Sequence, residues 1–96
     1  MRVLKDRQEV WCGGKVVDNL SPKEFGLLAA INDAGGKIMS RKALLVQVWG
    51  KEYAQYDSRT VDQHFARLRR KLRAVSKAAA AMIVTKTNFG YKLVRK

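Results

Sequence analysis

The residues best suited to chemistry lie between Asp57 and Arg73, in the run DSRTVDQHFARLRRKLR. Six of these 17 residues are Arg or Lys: Arg59, Arg67, Arg69, Arg70, Lys71 and Arg73. Guanidinium forks suit phosphate oxygens and the acceptor edge of guanine, and an amide such as Gln63 suits adenine. The chemistry on offer is recognition of a polyanion. A cation run can also be a plain solvated helix face, and that reading competes until other features weigh against it. The parts of an enzyme are missing. The chain has one His, His64, and one Cys, Cys12, too few for a structural zinc site or an internal disulfide. There is no Gly-rich phosphate loop and no nucleophile beside a base. Asp62 has no second carboxylate at useful spacing and reads as the partner of a neighbouring arginine. The expectation is a non-enzyme with no cofactor, no metal and no small-molecule substrate.

The charge balance points the same way. Twenty Lys and Arg stand against eight Asp and Glu, a formal +12 over 96 residues. Residues 51–96 carry twelve of the cations and three of the acids, or +9. A basic half on a small domain implies DNA, RNA or an anionic membrane as partner. No apolar run approaches the roughly 18 residues of a membrane span, no signal peptide is visible, and the apolar helix stripes are used up by one core. The expected location is the cytoplasm.

The elements that position these residues can be read in order. Residues 1–20 hold short apolar pieces separated by polar turns, a β meander with a tight turn at Gly13-Gly14. Ser21-Pro22-Lys23-Glu24 is a capping box with proline at the first helical position. The helix it opens carries Phe25, Leu27, Leu28 and Ile31 and stops near Gly35. Lys37 to Met39 reads as a minor strand. Ser40 caps a second helix with Leu44, Leu45, Val48 and Trp49 on one side, ended by Gly50. After a polar, aromatic loop, Asp57 or Ser58 caps a third helix over residues 58–74. At about 100° per residue, Val61, Phe65, Leu68, Leu72 and Val75 share one direction and form its core stripe. Arg59, Gln63, Ala66 and Arg70 point the opposite way, with Thr60 and Arg67 on a shoulder. The alanines at 78–81 either extend a helix or link. Residues 82–95 read as a hairpin in which Asn88 and Gly90 tolerate positive φ. Trp11 and Phe65 are expected in the core, and Cys12 as a small apolar strand residue.

A short antiparallel sheet, a three-helix core over 21–76 and a C-terminal hairpin outline a single α+β domain, 1–96, of winged helix-turn-helix type. The runs LSPKEFGLLAAI, SRKALLVQVWG, DSRTVDQHFARLRRKL and FGYKLV closely resemble the effector domain of OmpR/PhoB-type bacterial response regulators. The resemblance runs from about Leu20 to Val94. It implies binding of double-stranded DNA, with the third helix in the major groove and the hairpin wing at a neighbouring minor groove. Carried over by position, Gln63 and Arg67 face base edges, and outward-facing Arg70 joins them. Arg41, Trp49, Arg59, His64 and Arg69 hold phosphates, with Thr60 beside them and Thr85 and Tyr91 contributing from the wing. Lys86, Thr87 and Asn88 form the wing tip. The loop with Lys51, Glu52, Tyr53, Gln55 and Tyr56 is where such domains touch RNA polymerase, and such domains pair head to tail on direct repeats. The wing of the family carries Arg-Gly-x-Gly-Tyr where this chain has Thr87-Asn88-Phe89-Gly90-Tyr91, so the minor-groove arginine is missing. The 96 residues also hold no receiver domain, which fits either an excised effector domain or a stand-alone regulator.

Some residues keep two readings. Trp49 is core, with or without a phosphate contact through its indole N–H. Tyr53 and Tyr56 either pack the loop or present a partner surface. Two other functions compete: a non-specific nucleic-acid-binding module, supported by charge alone, and a winged-helix adaptor for a protein partner.

Overall fold

The computed structural model describes residues 1–95. Strands β1 (Arg2–Leu4), β2 (Glu9–Cys12) and β3 (Lys15–Val17) form an antiparallel sheet in the order β1-β2-β3. The β2–β3 turn needs positive φ at both central residues, and Gly13 and Gly14 supply 55° and 86°. The two-residue period turns Val10 and Cys12 inward, so Trp11 must face out. The expectation of a core Trp11 is therefore corrected: it is half-exposed, with its indole N–H donated to Glu9 at 3.3 Å.

Helix α1 (Pro22–Asp33) begins with the capping box in both directions. Ser21 Oγ accepts from the Glu24 N–H at 3.2 Å, and Glu24 Oε1 accepts from the Ser21 N–H at 2.9 Å. The helix ends at Ala34, and Gly35 follows at φ 61°. Helix α2 (Arg41–Trp49) is capped by Ser40, whose hydroxyl accepts from the Ala43 N–H at 3.0 Å. A 3₁₀ turn, Lys51–Tyr53, leads into helix α3 (Arg59–Val75). Ser58 occupies the cap position of α3 without a side-chain cap bond, and Asp57 Oδ1 takes the Arg59 N–H at 2.9 Å instead. The alanine run forms its own short helix, α4 (Lys77–Ala81), because Ser76 breaks the path with φ −154° and then caps the new turn through its hydroxyl. Strands β4 (Ile83–Lys86) and β5 (Gly90–Leu93) pair antiparallel from Ile83↔Leu93 to Lys86↔Gly90. The expected minor strand at 37–39 reduces to one bridge, Met39 with Tyr91.

One core cluster joins β2, β3, all four helices and the hairpin. Leu27, Leu28, Ile31, Leu44, Leu45, Val61, Phe65, Leu68 and Leu72 are at most 1% exposed. Burying each such side chain contributes about 1.5–3 kcal/mol. Val48, Trp49 and Val75 pack at the margin of this cluster, only partly buried. Phe65 and Tyr91 stack with ring centroids 3.9 Å apart, which seats the hairpin against α3.

Candidate nucleic-acid interface

The buried stripe of α3 fixes what its other side can offer. With Val61, Phe65, Leu68 and Leu72 turned inward, Arg59, Gln63, Ala66, Arg67, Arg70 and Arg73 are all exposed. The wing hairpin stands beside this face, and Arg69 ties the two together. Arg69 Nη2 donates to the Ile83 carbonyl at 2.9 Å and to Thr85 Oγ1 at 2.7 Å. Arg69 and Thr85, expected as separate phosphate contacts, are bonded to each other and brace helix against wing.

At the N-terminus of α3, Arg59 pairs with Asp57 at 2.7 Å. Hydrogen bonds from Arg59 hold the Asp57 carboxyl below its usual range, and the same bond pushes Arg59 up. Both side chains are open to water, so the pair is weak and Arg59 can change partners at little cost. His64 donates Nδ1–H to the Thr60 carbonyl at 2.7 Å, which leaves Nε2 on the far side of the ring. The ring of His64 stands edge-on to Trp49 at 5.0 Å, and Lys23 Nζ lies 5.6 Å from the Trp49 ring. Trp49 both packs on the core and keeps part of its surface open.

Tyr91 is placed differently from the expectation. It is 3% exposed, and its hydroxyl donates to Asp62 Oδ1 at 2.5 Å. Burial and then the bond to Asp62 push its phenol up to about 12. A buried, committed hydroxyl is not a phosphate contact, so that role is withdrawn. Arg41 Nε donates to the same Asp62 oxygen at 2.7 Å, and this bond raises the Arg41 guanidinium further. Lys71 is likewise not a free cation. It donates to Glu24 Oε1 at 2.7 Å and to the Asn19 carbonyl at 3.0 Å, joining α3 to the α1 cap. Burial would raise the Glu24 carboxyl, but the bonds from Lys71 and Ser21 outweigh it and the net shift is downward.

The wing tip carries Lys86, Thr87 and Asn88 in the open, with Asn88 at φ 70°. Phe89 is 70% exposed in the same loop, because pairing of Lys86 with Gly90 leaves it in a three-residue turn with no core to enter. In the loop before α3, Lys51, Glu52 and Gln55 are exposed. Tyr53 packs on the core while Tyr56 is 63% exposed, with the two rings 4.9 Å apart. Tyr53 therefore packs the loop, and Tyr56 is left open to solvent. No group of three or more His, Cys, Asp or Glu residues that could hold a metal is found among the described residues, and no described helix is long and apolar enough to cross a membrane.

Comparison with known proteins agrees with this geometry. A family model described as "Transcriptional regulatory protein, C terminal" matches residues 15–93. The transcriptional regulatory protein SrrA of Staphylococcus aureus (strain NCTC 8325 / PS 47) is 46% identical over 91 residues, covering 95% of this chain and 34% of SrrA. The chain thus spans about a third of the length of the curated relatives it matches. The crystal structure of the DNA-binding domain of Bacillus subtilis CssR superposes with a TM-score of 0.78 at 35% identity, over 97% of this chain and 98% of that one. The DNA-binding domain of Klebsiella pneumoniae RstA, crystallised in complex with the RstA box, superposes with a TM-score of 0.77 at 34% identity, over 96% and 88%.

Proposed function

The chain belongs to the family of transcriptional regulatory protein C-terminal domains of the OmpR/PhoB type, and from that membership we propose that it binds double-stranded DNA at specific sequences and regulates transcription. Helix α3 lies in the major groove. Gln63, Arg67 and Arg70 face base edges there, because they stand on the outward side of the helix with no protein partner among the described residues. Arg59, Thr60, His64, Trp49 and Arg41 line the flanks and take phosphates, which set register without carrying sequence information. The wing loop, Lys86 to Phe89, approaches the neighbouring minor groove with a cation and an aromatic ring in place of the usual arginine.

The observation that carries this reading is the two-sided character of α3: four side chains at 0% exposure on one side, and exposed Arg59, Gln63, Arg67, Arg70 and Arg73 on the other. The RstA box complex of a relative 34% identical supports duplex DNA as the ligand. The finer parts of the proposal follow. The loop of Lys51, Glu52, Gln55 and exposed Tyr56 docks RNA polymerase. Two copies pair head to tail on direct repeats. The protein works in the bacterial cytoplasm, on the nucleoid, and carries no catalytic activity.

The test is selection of duplexes from a random pool, then titration of the winner against a scrambled duplex at two salt concentrations. An enriched motif, repeated at about one helical turn and bound at least ~10³-fold tighter than scramble, is the expected result. Steeply salt-dependent binding with no enriched motif would overturn sequence-specific recognition in favour of a backbone-holding basic module.

A further inference from the structure

Asp62 is an anomaly on a helix built to meet phosphates. It lies on α3 between exposed cations, and its side chain is itself 39% exposed. A carboxylate there repels the ligand, so its presence calls for a compensating role. Its bonds suggest one. Oδ1 accepts from Arg41 Nε on α2 at 2.7 Å and from the Tyr91 hydroxyl on β5 at 2.5 Å. Tyr91 is buried and held from two sides: it is stacked on Phe65, and its strand is bridged to Met39 just before Arg41. The three groups form an ordered chain, from a fixed phenol to a carboxylate to a guanidinium. The bond to Arg41 uses Nε alone, so the two terminal amino groups, the tines of the phosphate-binding fork, lie outside it. The Arg41 guanidinium also sits 5.5 Å from the Tyr91 ring centroid, a second restraint on the same group.

We infer that Asp62 is a positioning residue for DNA binding: held by the Tyr91 hydroxyl, it fixes the Arg41 guanidinium so that its terminal amino groups meet a backbone phosphate at the junction of recognition helix and wing. The inference rests on the DNA-binding reading and assigns a residue to which that reading gives no role. It makes a prediction of unusual sign. Removing a negative charge from a DNA-facing surface raises affinity if the charge is a bystander. Removing Asp62 lowers affinity, because a long side chain freed to rotate must be ordered again on binding.

The experiment is a double-mutant cycle on the selected duplex with Asp62→Ala, Arg41→Ala and the double variant. Asp62→Ala is expected to weaken binding about 10–100-fold, the scale of one charge-assisted hydrogen bond. The salt slope is expected to fall by about one unit, as one phosphate contact is lost. In the Arg41→Ala background the same change costs nothing further. Without DNA, the Tyr91 phenol of Asp62→Ala should ionise at lower pH than in the parent, which reports the broken bond spectroscopically. Asp62→Asn, which keeps an acceptor but not the charge, falls between parent and Asp62→Ala, and it carries the test by the same sign if the alanine variant does not fold. Affinity equal to or above the parent in Asp62→Asn and Asp62→Ala, or a full cost that persists without Arg41, overturns the inference. A parent that binds no duplex strikes the function reading instead, so the two failures are separable.

Discussion

Gly90→Ala is the most demanding single-atom change the fold presents. Gly90 opens β5 at φ 147°, a region essentially closed to residues with a side chain. A Cβ there would lie 2.0 Å from the Met39 carbonyl oxygen, 2.7 Å from its carbon and 2.9 Å from Ser40 Cα. All three atoms are backbone, so no rotamer relieves the clash. β5 must retreat from Met39 by more than about 1 Å, which breaks the two bonds of the bridge, Met39 N–H to Tyr91 O at 2.8 Å and Tyr91 N–H to Met39 O at 2.9 Å. The backbone strain costs about 1–3 kcal/mol, and the two hydrogen bonds about 0.5–1.5 kcal/mol each. A loss of about 4 kcal/mol is expected, or about 15–30 °C in Tm for a domain of this size. Gly35→Ala is the control, at φ 61° with nothing within 4 Å of the added Cβ. Its loss should be only the left-handed penalty of about 1–2 kcal/mol. Thermal and urea unfolding followed by far-UV circular dichroism measures both. Equal losses at the two positions would refute the argument, since they would mean that the approach of Met39 to Gly90 contributes nothing.

Three further outcomes are expected. Leu68→Ala, at 0% exposure in the α3 stripe, should lose about 2–5 kcal/mol in urea unfolding; a near-zero change would mean that the helix phase is wrong. Arg67→Ala should cost about 1–3 kcal/mol on the best duplex and relax preference at one or two base pairs, whereas Arg59→Ala should weaken all duplexes alike and lower the salt slope by about one; the same panel of duplexes at two salts separates them. The Tyr91 phenol, raised to about 12 when folded, favours the folded state below pH 10, and that contribution of about 2–3 kcal/mol disappears as pH rises from about 10 through 12. Spectrophotometric titration should show a late ionisation that Tyr91→Phe removes; its survival in that variant would assign it elsewhere.

The parts of this fold that could be read from sequence are those written in neighbouring residues. The capping box needs only Ser21 and Glu24, three positions apart, and both of its bonds form. The α3 stripe repeats every three or four residues, and four of its five members are fully buried. The errors arise where partners are distant or where a local break intervenes. Trp11 is expected in the core, yet β-pleat alternation with Val10 and Cys12 turns it out. Tyr91 meets Asp62 across 29 positions, Arg69 meets Thr85 across 16 and Lys71 meets Glu24 across 47, and no spacing rule selects such pairs. The exposed cations of α3 were thus legible as a class. Which of them are already engaged with the protein was not.

The outward face of α3 also stores a conflict. Arg67 and Arg70, and Arg70 and Arg73, stand three positions apart on one helix, all exposed and cationic. Such like-charge neighbours destabilise a helix by about 0.2–0.5 kcal/mol each. Their place in the second half of α3 eases this through the negative end of the helix dipole, but only within the last turn. Ionic strength therefore acts on the free protein and on the complex in opposite directions. Screening relieves the repulsion along the helix and firms the unbound fold, while the same salt weakens the grip on any phosphate backbone. The recognition helix is in this sense under tension until a polyanion arrives to relax it, and its ligand serves as the counterion that its own sequence lacks.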